Sequence, residues 1–400
     1  MTQPSIFREY LDRLLPVLGN YIDERVNGGK EKKLTYLHKK RLRKVFSPDQ
    51  KWETSSANTR YVKADYVAMD SPLPLKKRGT IASSNGDLPK IGARRIMKES
   101  DINSINIMIA QLSTMKSGSD SYIKRKLQII KKLSDDLVFA NIALDEQNEF
   151  AYLYAISHGE VLVQADVNDP KSSGLGLRAQ YGYLPANHLH TATPGVCDSD
   201  DIQKVIDKAD ADGNTIAMAM MSRSLLDRIR RSRWACELVA KADKVSYTSK
   251  TVLPVPSRTE FTEAFEEEYG MPVEVVDRTV LCEKNGKDYP VKPFNPDRII
   301  FLPDADFDGS LVYGELAEKS HPADGVSYST VDEYKLISRL RLSEPTLQEV
   351  TKGQAMVLPV IEDGNAIYTL DFLEAKEEES GQTEKQDQAG YENNPAGAQG

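Results

Sequence analysis

The sequence predicts an α+β protein, on three observations. Residues 120–158 form an uninterrupted helical stretch, short β-branched and alternating runs are scattered over residues 160–372, and a long extended segment rich in Pro and Lys precedes the helix.

Taken in order, residues 1–59 read as a loosely packed N-terminal arm. A short amphipathic helix is expected at Ile6–Leu15, where Ile6, Tyr10, Leu11, Leu14 and Leu15 share a face, and Pro16 and Gly19 end it. From Lys30 to Lys44, eight of fifteen residues are Lys or Arg, interleaved with Leu34, Tyr36, Leu37 and Leu42. That pattern predicts a basic amphipathic helix, suited either to a solvated face or to an acidic partner.

Arg60 to Met97 reads as an extended arm without a core of its own. Pro72, Pro74 and Pro89 remove backbone donors, and Val62, Ala64, Tyr66 and Ala68 alternate as in a strand. Asn85-Gly86 carries the signal of a hairpin tip, because both residues tolerate positive φ. Between Lys76 and Lys98 there are seven basic residues and one acid, Asp87. So long a connection is usually functional.

Asp120 to His158 contains 39 residues without Gly or Pro, with Ser119 placed to cap its start and Gly159 its end. Such a helix is about 58 Å long, more than a small domain needs. Ile123, Leu127, Ile130, Leu133 and Leu137 should line its buried face, which turns polar over Asp145 to Glu149. Smaller elements are expected to pack along it as on a spine.

Strands are expected at Glu160–Ala165 and Leu177–Tyr183, around the turn DPKSSGLG, and then a mixed body. Its helices are placed at Asp200–Lys208, Ser222–Arg231 and Phe261–Tyr269. Its strands are placed at Thr215–Met221, Val273–Val276, Thr279–Glu283 and Arg298–Leu302, with Asn285-Gly286 as a turn. Closing strands are Tyr334–Leu342, Ala355–Ile361 and Ile367–Phe372, with a turn at Asp363-Gly364. Residues 373–400 hold seven acids and two lysines among small polar residues, a composition that predicts disorder.

Charge is segregated along the chain. Residues 1–98 carry 21 basic and 10 acidic side chains, whereas the whole chain has a net charge of -8. A basic arm on an acidic body suits pairing with another copy's acidic surface, or with nucleic acid. No apolar run approaches the length of a membrane span, and the N-terminus lacks the order of a secretory signal, so folding in a cytoplasm is expected. Three scattered cysteines, Cys197, Cys236 and Cys282, fit buried free thiols better than a disulfide framework or a zinc site.

Asp304, Asp306, Asp308, Gly309 and Glu315 match the spacing of a calcium loop, which converges oxygens on one hard cation. The context argues otherwise. RIIFLP before it reads as a strand, where a calcium hand needs a helix, and Phe307 and Val312 occupy positions that are polar in such loops, so an acidic surface loop is expected instead. DKADADGN reads as a helix end and a turn. His188 and His190 have no further ligand at zinc spacing and read as satisfied loop residues. The chain has no G-x-S-x-G, no Walker loop and no G-x-G-x-x-G, so no catalytic site, metal or cofactor is expected.

The order of arm, basic extended loop, spine helix, hairpin, mixed body and returning strands resembles that of the major capsid proteins of tailed bacteriophages. The type is that of Hong Kong 97, in particular the branch with the lambda capsid protein E. Three stretches carry the resemblance: YVKADYVAMDSPLPLKKRG with LPKIG, DRIIFLPDADFDGSLVYGEL, and VDEYKLISRLRLSEPTLQEVTKGQAMVLPVI with its Pro359-Val360 pair. Together they span roughly residues 58–372.

The resemblance implies an N-terminal arm over residues 1–59 and an E-loop over 60–98. A peripheral domain over 99–190 is completed by a strand returning at about 330–352, and an axial domain over 191–329 is completed by 353–372, ahead of the acidic tail 373–400. It further implies a non-enzymatic shell protein that assembles as hexamers and pentamers of an icosahedral virion capsid in the host bacterial cytoplasm. The shell would enclose double-stranded DNA, contacted without sequence specificity. Expected partners are a separate scaffolding protein, a portal and head accessory proteins. Lys76, Lys77, Arg78, Lys90, Arg94 and Arg95 of the E-loop are then the expected contacts to a neighbour's acidic surface. The rival reading is a DNA-binding clamp made of residues 30–44 and the basic loop.

Overall fold

The computed structural model describes residues 4–10, 35–57, 81–163, 177–248, 251–284 and 287–372. After helical residues 8–10, whose continuation lies outside the described residues, α1 is a single turn at Leu37–Arg41, followed by strands β1 (Leu42–Phe46), β2 (Lys51–Ala57), β3 (Ile81–Asp87) and β4 (Lys90–Met97). Helix α2 (Glu99–Ser113) then leads into the spine, α3 (Asp120–His158). The spine has the expected bounds. Ser119 Oγ accepts the Tyr122 N–H at one end, and at the other Gly159 adopts φ 74°, a left-handed conformation that glycine reaches without strain.

The buried face of α3 differs from the expected one. Of the five residues assigned to it, Leu133 and Leu137 are buried and Ile130 is half-buried, while Ile123 and Leu127 are 48% and 59% exposed. The contact begins a turn later and includes Ile129, Ala140 and Leu144. Within residues 141–149 the polar side chains of Asn141, Asp145, Asn148 and Glu149 are also buried, while Gln147 is exposed. A polar interval that reads as a solvated stretch is thus part of the interior. Near the start of α3 the covering element is α2, which the sequence reading passed over. Its Ile102, Ile105 and Leu112 are buried, and Lys132 Nζ reaches across to Ser104 Oγ at 3.1 Å.

The larger sheet lies along α3. It runs β1, β13 (Gly309–Gly314), β16 (Gln348–Ile361), β15 (Lys335–Leu342) and β14 (Ser327–Val331), and β4 pairs with β16 as well. The fourteen-residue β16 is the organiser, pairing Gly314 with Met356 and Leu336 with Gln354 on one side and Ile91 with Ala355 on the other. Its face approaches the spine closely at one point. A Cβ on Gly353 would stand 2.4 Å from the Ala140 carbonyl oxygen, so only glycine fits there.

A second sheet has the order β7 (His188–His190), β17 (Tyr368–Asp371), β12 (Arg298–Leu302), β8 (Met218–Ser222) and β9 (Val273–Val276). It carries α4 (Ser199–Asp212), α5 (Arg223–Ile229), α6 (Arg233–Ala242) and α7 (Arg258–Tyr269). These bury a separate core that includes Ile202, Val205, Leu226, Phe261, Phe265, Phe301 and Tyr368. DKADADGN ends α4 as expected, with Gly213 left-handed at φ 76°. No element was expected at α6. Strand pairs β5 (Glu160–Val163) with β6 (Leu177–Gln180), and β10 (Val280–Lys284) with β11 (Lys287–Val291), lie outside both sheets. The residues of the DPKSSGLG turn, the Asn285-Gly286 turn and the acidic tail fall outside the described set.

Two further expectations are corrected. Asn85-Gly86 is not a hairpin tip. Both residues lie in β3, paired with Glu53 and Trp52 of β2, and the tight packing explains the glycine, since a Cβ on Gly86 would meet Trp52 Nε1 at 2.9 Å. Nor is residues 30–44 one basic helix: of the described part, α1 lasts five residues and the chain then becomes β1, paired in parallel with β13. Residues 35–57 are built into the body, with Leu42 and Trp52 in its core.

Gly353→Ala should lower stability by about 2 kcal/mol, because the added methyl cannot be accommodated between two backbones. The midpoint of chemical denaturation measures this; an unchanged midpoint would mean that β16 does not press on α3 at this residue.

Candidate assembly surface

Of the six basic residues expected at subunit contacts, Lys76, Lys77 and Arg78 lie outside the described residues. Lys90, Arg94 and Arg95 all fall on β4. This strand forms because Ile91 and Ala93 can turn inward while Lys90 and Arg94 turn out, and it pairs antiparallel with β16 from Lys90–Met356 to Met97–Glu349. Among the described strands, β16 is its single neighbour. Charged side chains on such an edge keep it from pairing indiscriminately.

The register divides the three cations. Gly353 faces the spine, so Lys352 faces away from it, and Arg94 is its direct cross-strand partner on that outer face. Two like charges held opposite one another are unfavourable. Among the described residues no carboxylate is paired with either. Arg95 turns to the other side, where its guanidinium carbon lies 3.7 Å from the centre of the Phe139 ring and one nitrogen lies 3.9 Å from Asp136. The outer face therefore presents Lys90, Arg94 and Lys352, and Arg95 is largely engaged within the chain. Sequence reading missed Lys352 because only the register of β4 on β16 brings it there.

The other basic stretch has a different use. Glu149 on α3 accepts the backbone N–H groups of Leu37 and His38, each at 3.0 Å, and its Oε2 lies 2.7 Å from His38 Nδ1. One turn earlier, Asp145 receives Lys39 Nζ at 3.0 Å and Lys335 Nζ at 2.6 Å. Both lysines also reach Asp332, at 3.1 and 2.6 Å. Burial alone would raise the Asp332 carboxyl, but the ammonium groups of Lys335 and Lys39 outweigh it and hold that group well below the usual carboxylate range. Lys335 shifts the opposite way to a well-paired lysine. It is fully buried, and loss of hydration lowers it despite Asp145 and Asp332.

Arg41 completes the set. It is 1% exposed and binds Asp308 through Nε at 2.5 Å and Nη2 at 2.6 Å, with the Ala305 and Asp304 carbonyls at 2.8 and 3.2 Å. The Tyr152 hydroxyl donates to the same carboxylate, and burial pushes that phenol well above its ordinary value. A solvated acidic loop is thus found at Asp304 and Asp306 but not at Asp308. The run does not curl round a cation: Asp304 Oδ1 accepts the N–H of Asp306 and Phe307, and residues 309–314 leave as a strand. A third buried pair, Arg339 Nε to Glu349 at 2.9 Å, also receives the Ser5 hydroxyl and the Ile6 N–H, both at 2.7 Å. For the contacts on α3, the available sequence signal was an acid pair spaced i, i+4, Asp145 and Glu149, in phase with the buried Leu137, Leu144 and Tyr152.

His188 lies in β7 with Nδ1 2.7 Å from Thr369 Oγ1. Cys197 and Cys236 are buried thiols and Cys282 is half-buried; burial pushes all three up, which disfavours the reactive thiolate.

No family model matches the chain, and no curated protein matches its sequence. Among solved structures, the fold is similar to that of a candidate capsid protein from a prophage of Escherichia coli CFT073. The TM-score is 0.52 at 10% identity, over 93% of this chain and 99% of that one. A chain of the cyanophage A-1(L) capsid asymmetric unit gives a TM-score of 0.44 at 11% identity, over 86% and 95%. The first of these likenesses carries the argument. The chain has the phage-capsid fold of the Hong Kong 97 type, as its sequence resemblance led us to expect, and at this identity what is shared is the fold.

Two outcomes follow from the buried charges. Asp308→Ala strands the Arg41 guanidinium and should cost about 3–5 kcal/mol, whereas Arg41→Met with Asp308→Leu should lose far less; equal losses would mean that the ion pair itself is not at issue. Asp332, depressed in the folded state, contributes stability that is complete above the ordinary carboxylate range and disappears as pH falls through its folded value. Asp332→Asn should therefore cost about 1 kcal/mol at neutral pH and flatten the acid limb of a stability-versus-pH profile.

Proposed function

We propose that this protein is the major capsid protein of a tailed bacteriophage or prophage, a non-enzymatic subunit that assembles into hexamers and pentamers of an icosahedral shell around double-stranded DNA. The observation that carries the reading is the end-to-end match of fold: the alignment with the Escherichia coli CFT073 prophage protein takes in nearly the whole of both chains. A fold alone does not fix a function, so the reading also rests on what the surface offers. The outer face of β4 sets cations without a carboxylate partner among the described residues on an exposed strand, and a neighbour's carboxylates would relieve the Arg94–Lys352 repulsion. A separate scaffolding protein, a portal, head accessory proteins and assembly in the bacterial cytoplasm belong to the same proposal.

The rival clamp keeps only part of its basic stretch. Of the described residues of 30–44, Arg41 is 1% exposed and cannot reach a phosphate backbone, Lys39 and Lys44 lie against acids of the same chain, and Lys40 and Arg43 are exposed.

Electron microscopy and sedimentation of the protein expressed with a scaffolding protein should show shells or capsomers; a stable monomer at high concentration would overturn the reading. Replacing Lys76, Lys77 and Arg78 together by Glu should block assembly while leaving the circular dichroism and melting of the subunit unchanged. Normal shells from that variant would exclude the basic loop as a contact.

A further inference from the structure

The described chain ends beside the C-terminal end of the spine. Phe372 donates its N–H to the Asp297 carbonyl at 2.9 Å, and the residues near Asp297 hold Ser157 of α3, with Asn295 N–H to Ser157 Oγ at 3.2 Å and Arg298 Nη1 to Ser157 O at 2.8 Å. Residues 373–400 continue from there. They hold seven acids and two lysines, with Glu374, Glu377, Glu378 and Glu379 close to the exit.

The basic strip of β4 lies within reach. Arg95 sits over Phe139, eighteen residues before Ser157 on the same helix, which is about 27 Å along the axis. Glu384, Asp387 and Glu392 follow Phe372 by 12 to 20 residues, a length whose random-coil span is about 19–25 Å and whose extended limit is about 40–70 Å. Lys90, Arg94 and Lys352 stand on the exposed face, and Lys98 is exposed just past the strand. Described carboxylates around the strip are engaged: Glu318 Oε2 accepts Gln354 Nε2 at 2.8 Å on the same outer face, Asp101 Oδ2 accepts the Lys98 N–H, and Asp136 lies beside Arg95 on the spine side.

We infer that the acidic carboxy-terminal segment, residues 373–400, docks within its own chain on the strip formed by Lys90, Arg94, Lys98 and Lys352. Docked there, it withholds the strip from other polyanions and from neighbouring copies until one of them displaces it. The segment supplies what the register leaves wanting, negative charge between Arg94 and Lys352, and the tether keeps its local concentration high. This goes beyond the shell reading and does not depend on it, because it concerns the free subunit.

Zero-length carbodiimide coupling of the full-length protein, at low concentration and about 50 mM salt, tests it by joining lysines to carboxylates already in contact. Mass spectrometry should find Lys90, Lys98 or Lys352 joined to Glu384, Asp387 or Glu392, the acids far enough past Phe372 to reach the strip. In a mixture of isotope-labelled and unlabelled protein the links should lie within one chain, and their yield should not change on dilution. Arg94→Glu with Lys352→Glu should reduce the yield about fivefold, and so should raising the salt to about 0.5 M. A chain ending at Phe372 should retain double-stranded DNA roughly tenfold more tightly at low salt than the full chain. Absent links, links solely between copies, or DNA retention unchanged by the truncation would each overturn the inference. Neither readout involves particle formation, so failure here and failure of the shell reading are distinguishable.

Discussion

Asp145 and Glu149 are buried on one turn of a long helix, and the fold is tenable only because hydrogen-bonding partners, two of them lysines, are delivered to them from two distant parts of the chain. Lys335 arrives from the start of β15, and His38 and Lys39 arrive from a single helical turn more than a hundred residues earlier. Removing an ion from water costs several kcal/mol, and that loss is offset only by close, hydrogen-bonded partners. The requirement fixes much of the surrounding geometry. Residues 36–41 must cross the spine at this level, β15 must begin there, and Arg41 is thereby aimed at Asp308 and Tyr152. The N-terminal segment is fastened to the body by charge as much as by apolar contact.

The large sheet depends on the same helix. Gly353 lets β16 lie directly on the Ala140 carbonyl, and Arg339 bonds to the Leu133 carbonyl on the same side. With one face of β16 so committed, its alternate residues must face outward, and β4 paired along it inherits the same alternation. The exposed cations of β4 and β16 are a consequence of how the sheet rests on the spine. The surface offered to other molecules is thus set by packing in the interior.

Much of the fold is legible in the sequence where the local signal is strong. The spine's ends follow from Ser119, Gly159 and the absence of Gly and Pro between them, and α4 ends at the Asp-Gly turn. Elements without such punctuation were lost: α2 begins without a conventional cap residue, at Lys98, and its apolar residues are spread over an ordinary polar background. Asn85-Gly86 misled because a turn signal and a residue kept small by a neighbouring indole look alike until Trp52 is in place. The candidate surface was legible as a basic segment, but which of its cations are outward depends on register.

By itself the sequence determined the α+β class, the length and limits of the spine, the resemblance to phage capsid proteins and the segregation of basic from acidic residues. Only the tertiary structure decided the fate of each charge. Composition counts Arg41, Lys335, Asp145 and Asp308 with the surface charges, yet all four are buried in pairs, while the exposed Arg94 and the half-buried Lys352 are left facing each other. The reason is physical: a charge is buried or exposed according to the partner it meets, and partners hundreds of residues apart meet only when the chain has folded.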